Sequence, residues 1–358
     1  MRTKYDIIIV GAGPAGANLA RLLNAEKYNT LLIDGSYGHK KVCGGLISPD
    51  AQDILARYDI CLPKDILVSP QLFSVRTIDL SNNLVRHYRR SYLNADREKL
   101  DEFFKSLIPR NIDRISGRCK SVKKNKNEYE IELVSGEIFT CRYIVGADGA
   151  SSNVRLSLFR QKPLKKYVAI QQWFSAGKTN PYYSCIFDNE TSSGCSWIFF
   201  KDGMLIFGGA FDPQNCRDAF EKQKSKLVER GFVDKIAFKS PQKTEACLVS
   251  RPYISKGIFR GRNGAFLVGE AAGFISPSSF EGISYALYSG EALADALNRH
   301  SIDEISKIHR YYKSKTLKLE KKICIRCLKR PFMYNKALRR LVMRSGITSI
   351  NIKTTKIT

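Results

Sequence analysis

The segment from Tyr5 to Gly16 constrains the fold of this chain more than any other. An apolar run, Tyr5 to Val10, leads directly into Gly11-x-Gly13-x-x-Gly16, and leucines at helical spacing follow. A short apolar run that ends in glycines predicts a buried strand, and the leucine spacing predicts a helix after it. Glycines at such a turn let backbone N–H groups approach a pyrophosphate at the helix N-terminus. The segment therefore predicts the start of a dinucleotide-binding βαβ unit.

The second strand of that unit is predicted over residues 30–33 and ends in Asp34, which lies 18 residues after Gly16. A carboxylate at this position suits hydrogen bonds to a pair of ribose hydroxyls. These features indicate a dinucleotide but do not distinguish NAD from FAD. The choice of cofactor therefore depends on segments further along the chain.

The rest of the chain predicts a mixed α/β (α+β) fold with two sheets. Helical spacing is found over residues 96–107, 217–230 and 281–299, β-hairpin alternation over 117–147, strand patterns over most of 165–250, and a buried strand over 265–268. The last of these strands is expected to return to the nucleotide-binding sheet. We expect a Rossmann-like domain assembled from separated pieces of chain, with a β-sheet domain inserted between them.

Two later segments end predicted strands with glycine and a carboxylate. Residues 145–150 contain Asp148-Gly149, and residues 266–273 contain Gly269-Glu270. They resemble the "DG" and "GD" fingerprints of flavoprotein hydroxylases, and Asn94-x-Asp96-Arg97 resembles the arginine segment of the same superfamily. Glu270 stands where these proteins have Asp and keeps the carboxylate one methylene further out. The resemblance implies FAD as the cofactor.

Within this superfamily the chain resembles the geranylgeranyl reductase family and its CbrA-type branch. The matching stretches lie at residues 41–52, 166–174, 183–189, 207–210, 269–287 and 343–346, and so span nearly the whole chain. The resemblance implies a para-hydroxybenzoate hydroxylase-like fold and an FAD-dependent oxidoreductase that reduces a carbon–carbon double bond of a prenyl or other lipid-like substrate. It also places the N-terminus of the helix after Pro277 and Gly282-Ile283 at the flavin ring, where the helix dipole would stabilise negative charge.

Together, the glycine motif and the resemblance assign a set of residues to FAD. These are Gly11, Gly13, Ala15, Gly16, Asp34, Cys43, Gly44, Gly45, Arg97, Asp148, Gly149, Gly269, Glu270, Pro277, Gly282 and Ile283. No second Gly-x-Gly-x-x-Gly is found, so NAD(P)H is expected only as a transient electron donor.

Two residues are candidates for a catalytic role. Trp197 lies in Cys195–Lys201, where geranylgeranyl reductases have Tyr-x-Trp-x-Phe-Pro and flavin halogenases have Trp-x-Trp-x-Ile-Pro. Cys195 and Phe200 replace the first aromatic residue and the proline, which counts most against a halogenase. The resemblance places Cys43 near the flavin, where its thiol could donate a proton. The alternative is that Cys43 is a small buried apolar residue.

Two other functions stay open at this point. One is an FAD-dependent monooxygenase, which would use O2 and hydroxylate its substrate. The other is a flavoprotein that acts by binding at a membrane surface or to a partner, without turnover. The domain boundaries are expected to be 1–75, 94–160 and 256–300 for FAD binding, 76–93 and 161–255 for the substrate, and 301–358 for a basic helical region.

The C-terminal region carries most of the positive charge. Residues 305–358 contain 16 Lys or Arg and one acidic residue, Glu320, in a chain of net charge +25. Anionic lipid headgroups are one expected partner, and a helical cap with a solvated charged face is the alternative. No nucleic-acid-binding module is recognised.

The cysteines and histidines indicate the compartment and the absence of a metal site. The ten cysteines form no disulfide framework, which indicates a cytoplasmic protein, and the four histidines lack the spacing of metal ligands. Peripheral contact at the inner membrane face is an added expectation.

Overall fold

The computed structural model describes residues 3–35, 42–159, 164–253 and 257–350. Its α-helices are α1 Pro14–Leu22, α2 Pro49–Arg57, α3 Arg97–Ser106, α4 Asn153–Leu158, α5 Cys216–Glu229, α6 Ile283–Arg299, α7 Ile305–Tyr334 and α8 Lys336–Ser345. Its strands are β1 Lys4–Val10, β2 Thr30–Asp34, β3 Leu46–Ile47, β4 Leu72–Asp79, β5 Leu84–Asn94, β6 Asp113–Ser116, β7 Cys119–Asn125, β8 Glu128–Leu133, β9 Ile138–Gly146, β10 Lys165–Ser175, β11 Tyr182–Phe187, β12 Ser196–Lys201, β13 Met204–Phe211, β14 Lys243–Arg251, β15 Gly261–Arg262, β16 Ala265–Leu267 and β17 Ser349–Ile350.

The first sheet has the order β15-β16-β9-β1-β2-β6, and β7 and β8 extend it from β9. The pairs β16–β9, β9–β1, β1–β2 and β2–β6 are parallel. Ile7, Ile8 and Ile9 of β1 are fully buried, as expected for a parallel strand covered on both faces. Helices α1 and α6 pack together so closely that a Cβ on Gly290 would lie 2.5 Å from the Ala15 carbonyl oxygen. The predicted βαβ unit is confirmed.

The second sheet has the order β14-β10-β13-β12-β11-β4-β5-β17, with β3 paired to β5. Most pairs are antiparallel, and β4–β11 is parallel. Helix α5 covers part of one face, where Phe220 packs against Phe207 and Phe211. The strands predicted between residues 165 and 250 are present as β10 to β14.

The C-terminal helices lie against both sheets. The Tyr312 hydroxyl of α7 donates to the Leu267 carbonyl at the end of β16, over 2.8 Å. Arg339 of α8 forms a bidentate ion pair with Asp79 of β4, with Nε–Oδ2 at 2.7 Å, and both side chains are buried. Residues 349–350 then add the strand β17, which the expectation of helix throughout this region missed.

Helix ends differ from the predicted ends by at most two residues, and local chemistry explains one of these differences. The Asp96 carboxylate accepts hydrogen bonds from the N–H groups of Glu98 and Lys99, so Asp96 caps α3 and the helix begins at Arg97. The helix predicted from Glu281 begins at Ile283, with Gly282 before it. The domain boundaries stay a prediction, although β4 starts at Leu72 and so joins the second sheet before residue 76. Within the described ranges, no helix is long and apolar enough to cross a bilayer.

Candidate functional site

A cavity of about 1350 Å³ lies between the two sheets. It is larger than most small-molecule sites, which enclose roughly 300–1,000 Å³. Its wall includes the turn after β1, the ends of β2 and β9, the N-terminal part of α6, and one face of the second sheet. One continuous cavity therefore joins the predicted nucleotide site to the predicted substrate domain.

The glycine turn forms one end of this cavity. Gly11 has φ +105°, and a Cβ there would lie 2.6 Å from the Ala147 carbonyl oxygen. Gly13 lines the cavity and precedes α1 without a side-chain cap, and a Cβ there would meet no protein atom within 4 Å. The open backbone at a helix N-terminus fits an anion such as the pyrophosphate of a dinucleotide.

Asp34 lies at the end of β2 and lines the same end of the cavity. Its carboxylate is 2.6 Å from the Lys105 ammonium of α3. Burial lowers the pKa of Lys105, but hydrogen bonds to Asp34 and Glu102 outweigh it and leave the pKa raised. The carboxylate predicted to hold ribose is therefore already charge-paired. The sequence analysis missed Lys105, because the contact joins the last turn of α3 to a strand some 70 residues earlier.

The two later carboxylates sit in different environments. Asp148 accepts from the Val154 N–H through Oδ2 at 3.2 Å, whereas its Oδ1 is buried and has no protein partner. Burial raises the pKa of Asp148. Glu270 also lines the cavity, and its Oε1 accepts from the Ser250 N–H at 2.7 Å. The unpartnered oxygen of Asp148 is suited to a hydroxyl donor from a bound cofactor.

Four of the residues assigned to FAD lie behind the cavity wall: Gly16, Gly45, Gly269 and Pro277 do not line it, unlike the other twelve. A Cβ on Gly16 would lie 1.9 Å from the Gly11 carbonyl oxygen, and one on Gly45 would lie 2.2 Å from the Ala95 carbonyl oxygen. Gly45 has φ +66° and Gly269 has φ +56°. The glycines among them allow close backbone packing that shapes the wall.

Cationic side chains and a thiol meet where the two ends of the cavity join. Arg97 Nε is 2.9 Å from Asp101 Oδ1. Burial alone would lower the pKa of Arg97, but Asp101 and the nearby Cys43 outweigh this effect and leave the pKa raised. The Lys201 side chain is also buried and donates to the Ala95 carbonyl. Burial lowers its pKa to about 8, although Cys43 lies near enough to oppose that shift.

Lys201 is a functional candidate that the sequence analysis did not single out. It ends the apolar strand Ser196–Lys201, where four residues before it are apolar or aromatic. A lysine at the end of such a run is usually solvated, so its burial could not be read from the sequence. The sequence did contain one indication: Lys201 lies two residues after Phe199, in the segment that resembles the Tyr-x-Trp-x-Phe-Pro motif of geranylgeranyl reductases.

The opposite end of the cavity is aromatic. Trp173, Tyr183, Phe187, Trp197 and Phe199 line it. The two indole N–H groups have partners in the protein, since Trp173 Nε1 donates to Glu245 at 2.9 Å and Trp197 Nε1 donates to Gln171 at 3.3 Å. Tyr182, which precedes Tyr183 on β11, does not line the cavity and lies beside Arg76 and His87. The cavity therefore has a glycine end and an aromatic end, and Lys243 and Glu245 also line it beside Trp173.

Gly282 and Ile283, at the start of α6, line the cavity. The Glu281 carboxylate, however, accepts from the Ser284 N–H through Oε1 at 3.0 Å. A negative charge of the protein itself therefore already occupies part of this helix N-terminus. Lys41, part of the segment that resembles the reductases, lies outside the described residues. Across the described ranges, no group of three or more His, Cys, Asp or Glu side chains could hold a metal ion.

Protein CbrA of Escherichia coli strain K12 is 39% identical to this chain over 97% of the chain and 98% of that protein. The chain belongs to the CbrA family. CbrA of E. coli O6:H1 is 40% identical over 97% of this chain and 94% of its own length. A family model described as "Lycopene cyclase protein" also matches residues 6–175. The predicted CbrA-type resemblance is confirmed.

Solved structures with the same fold come from enzymes less than 25% identical to this CbrA-family chain. A geranylgeranyl bacteriochlorophyll reductase-like protein from Thermoplasma acidophilum superposes with a TM-score of 0.79 at 20% identity, covering 98% of this chain and 93% of its own. PqsL from Pseudomonas aeruginosa, described as a probable FAD-dependent monooxygenase, superposes with a TM-score of 0.72 at 14% identity. The superposition covers 96% of this chain and 99% of PqsL. The predicted Rossmann-like, two-sheet fold is confirmed.

Proposed function

We propose that this chain binds FAD and reduces a carbon–carbon double bond of an apolar, lipid-like substrate. One observation carries the proposal: a single cavity joins a glycine turn with an open helix N-terminus to a wall of aromatic side chains. The solved structures with this fold include a reductase-like protein and a probable FAD-dependent monooxygenase, which supports flavin chemistry. The aromatic wall favours an apolar substrate.

The residues at the glycine end account for the binding of FAD. The N–H groups at Gly13 and the start of α1 would hold the pyrophosphate. Asp34, paired with Lys105, would hold the adenosine ribose, and the free oxygen of Asp148 would accept from a hydroxyl of the cofactor. Bound FAD would supply the hydride for the reduction, once NAD(P)H had given it a hydride or another donor had given it two electrons and a proton.

The residues at the junction supply the proton that completes the reduction. The Cys43 thiol lines the cavity beside Arg97 and Lys201. Addition of one hydride and one proton across a double bond balances the reaction, and the thiol is positioned to give the proton while Lys201 replaces it. Trp197 and its neighbours exclude water and orient the apolar chain of the substrate.

The first test is spectroscopic and chemical. The purified protein is expected to show flavin absorption bands, or to gain them when reconstituted with FAD. Reduced without oxygen and mixed with a series of prenyl lipids, it is expected to give products two mass units heavier for each double bond reduced. Mass spectrometry of the extracted lipids measures this directly.

Other outcomes assign a different function. A flavin C4a-adduct in stopped-flow with O2, together with a product that has gained one oxygen atom, would identify a monooxygenase. A protein that takes up no FAD at all contradicts the proposal at its first step. A flavin-loaded protein that converts none of the lipids contradicts the reductase step and leaves FAD binding standing.

A further inference from the structure

The C-terminal helices expose an apolar surface that a folded chain normally buries. On α7, Ile325, Leu328 and Phe332 follow one another at helical spacing and are each more than half exposed. On α8, Leu341 and Val342 also face solvent, and Leu341 is 70% exposed. Contiguous exposed apolar residues on one region of a surface are typical of an interaction site.

An amphipathic helix on a protein surface usually buries its apolar side chains, whereas α8 leaves most of them exposed and buries an arginine. Its buried residues are Arg339 and Met343. Arg339 is held inside by the bidentate pair with Asp79 and by a 2.8 Å bond to Asn189 Oδ1. Leu338, Leu341 and Val342 of α8 are all exposed, and Leu341 lies on the side of the helix opposite Arg339. The buried ion pair thus fixes the apolar face toward solvent.

The same surface is strongly basic. Residues 321–350 contain nine Lys or Arg and no Asp or Glu. Lys322 and Arg326 pair with Asp50 of α2, and Arg339 pairs with Asp79. Within the described part of the chain, Lys329, Arg340 and Arg344 have no carboxylate partner. Basic side chains therefore flank the exposed apolar residues without being neutralised.

We infer that the surface formed by α7 from Ile325 onward and by α8 docks on an anionic lipid bilayer. The exposed Leu, Ile and Phe side chains would enter the boundary between headgroups and acyl chains, and the free Lys and Arg side chains would contact the phosphates. A second copy of the chain fits less well, because a symmetric contact would oppose two surfaces of the same positive charge. Nucleic acid would leave the apolar residues without a partner.

The position of the surface relative to the cavity agrees with this partner. Lys329 and Met333 of α7 line the cavity, as does Arg326 one turn earlier. The docking surface and the cavity wall therefore share a helix, and a lipid-like substrate would have a short route from the bilayer to the aromatic end. This link rests on the proposed function, whereas the docking itself does not.

Flotation of the full-length protein with lipid vesicles tests the docking. Wild-type protein is expected to float with vesicles of about equal parts phosphatidylglycerol and phosphatidylcholine, and weakly with phosphatidylcholine alone. The double variant Arg340→Gln, Arg344→Gln should lower partitioning by about 30-fold, because each arginine near an anionic surface contributes about 1 kcal/mol. The matched control is Lys123→Gln, Lys124→Gln on the exposed hairpin strand β7, which should float like wild type.

A second pair of variants tests the apolar part of the surface. Leu328→Glu is expected to lower partitioning about tenfold or more, because a carboxylate replaces an apolar side chain beside anionic lipid. Leu156→Glu on α4 is the control, since Leu156 is 64% exposed and Leu328 is 63% exposed. Circular dichroism checks that all variants are folded.

Three results would overturn the inference. The inference fails if the wild-type protein shows no preference for anionic vesicles, and it fails if the control variants lose binding as strongly as the test variants. Sedimentation could instead show that Leu328→Glu abolishes self-association while vesicle binding is unchanged, which would make a second copy the partner. If flavin binding and turnover fail while flotation behaves as expected, the proposed function fails and the docking surface stands.

Discussion

The two ends of the cavity are built from different parts of the protein. The glycine end is made largely by backbone groups, at the turn between β1 and α1 and at the ends of β2 and β9, which parallel strand pairing brings side by side. The aromatic end is made by side chains from strands of the second sheet, and the buried Lys201, where this end meets the glycine end, contacts the carbonyl of a residue 106 positions away. The first end depends on backbone conformation, and the second depends on which side chains the tertiary fold brings together.

This difference predicts different sensitivities. At the glycine end, adding one methyl group should act through the backbone and give either a large loss of stability or almost none, depending on where the Cβ would point. At the aromatic end, a change of side chain should act through charge and hydration, and so depend on pH.

The largest effect is expected for Gly11→Ala. Its φ of +105° strains any residue with a Cβ, and that Cβ would lie 2.6 Å from the Ala147 carbonyl oxygen. Backbone strain and overpacking each cost about 1–3 kcal/mol, so the free energy of unfolding should fall by about 4 kcal/mol. Urea denaturation followed by circular dichroism measures it.

Gly136→Ala is the matched control for the backbone strain. Gly136 has φ +91° in an exposed hairpin turn, and a Cβ there would meet no atom within 4 Å. It should therefore lose only the strain component, about 1 kcal/mol. If Gly11→Ala and Gly136→Ala lowered the free energy of unfolding equally, the contact with Ala147 would add no cost at Gly11. The contrast between the two ends of the cavity would then weaken.

The same contrast explains how much the sequence predicted. Local patterns located the βαβ unit, the hairpins of residues 117–147 and most strands of the second sheet, because each is set by neighbouring residues. The glycine motif and the family resemblance together assigned sixteen residues to FAD, and twelve of them line the cavity, although their contact with FAD stays a prediction. The glycine pattern alone could not separate Gly13, which lines the cavity, from Gly16, which packs behind the wall.

What the sequence could not predict depends on contacts between distant residues. The pairing of Asp34 with Lys105, the burial of Lys201 and the outward apolar face of α8 each require that two segments far apart in sequence meet. In α8 the hydrophobic spacing predicts a buried apolar face, but the Arg339–Asp79 ion pair turns the helix the other way. Tertiary contacts outweigh local periodicity there.

A pH-dependent effect is expected for Lys201→Met, where the aromatic end meets the glycine end. Burial lowers the pKa of Lys201 from 10.5 to about 8, so between these values the unfolded chain holds the proton and the folded chain does not. The wild-type free energy of unfolding should therefore gain about 3 kcal/mol from this group as pH rises from 7 to 10.5. The methionine variant lacks this gain, so its stability relative to wild type should be highest at pH 7 and fall across that range.

Denaturation of both proteins at pH 7, 8.5 and 10 measures that difference, and the contributions of other titrating groups cancel in it. Lys224→Met is a suitable control, because Lys224 forms an ion pair with Glu221 on α5 and does not line the cavity. A stability difference for Lys201→Met that stays constant with pH would show that Lys201 keeps an ordinary pKa, and it would remove this residue as a proton source near neutral pH.

The smallest effect on stability, and the most selective one on FAD, is expected for Gly13→Ala. A Cβ at Gly13 would meet no protein atom within 4 Å, and its backbone is extended with φ −69°, so loss of the glycine cap should cost less than about 1 kcal/mol. The same methyl group would occupy the space through which a pyrophosphate approaches the N-terminus of α1. The ratio of flavin to protein absorbance after gel filtration should therefore fall sharply while the denaturation midpoint hardly changes. A variant that keeps its full FAD content would show that the glycine end holds the cofactor elsewhere than at this turn, whereas a variant that unfolds like Gly11→Ala would show that the turn has no free space.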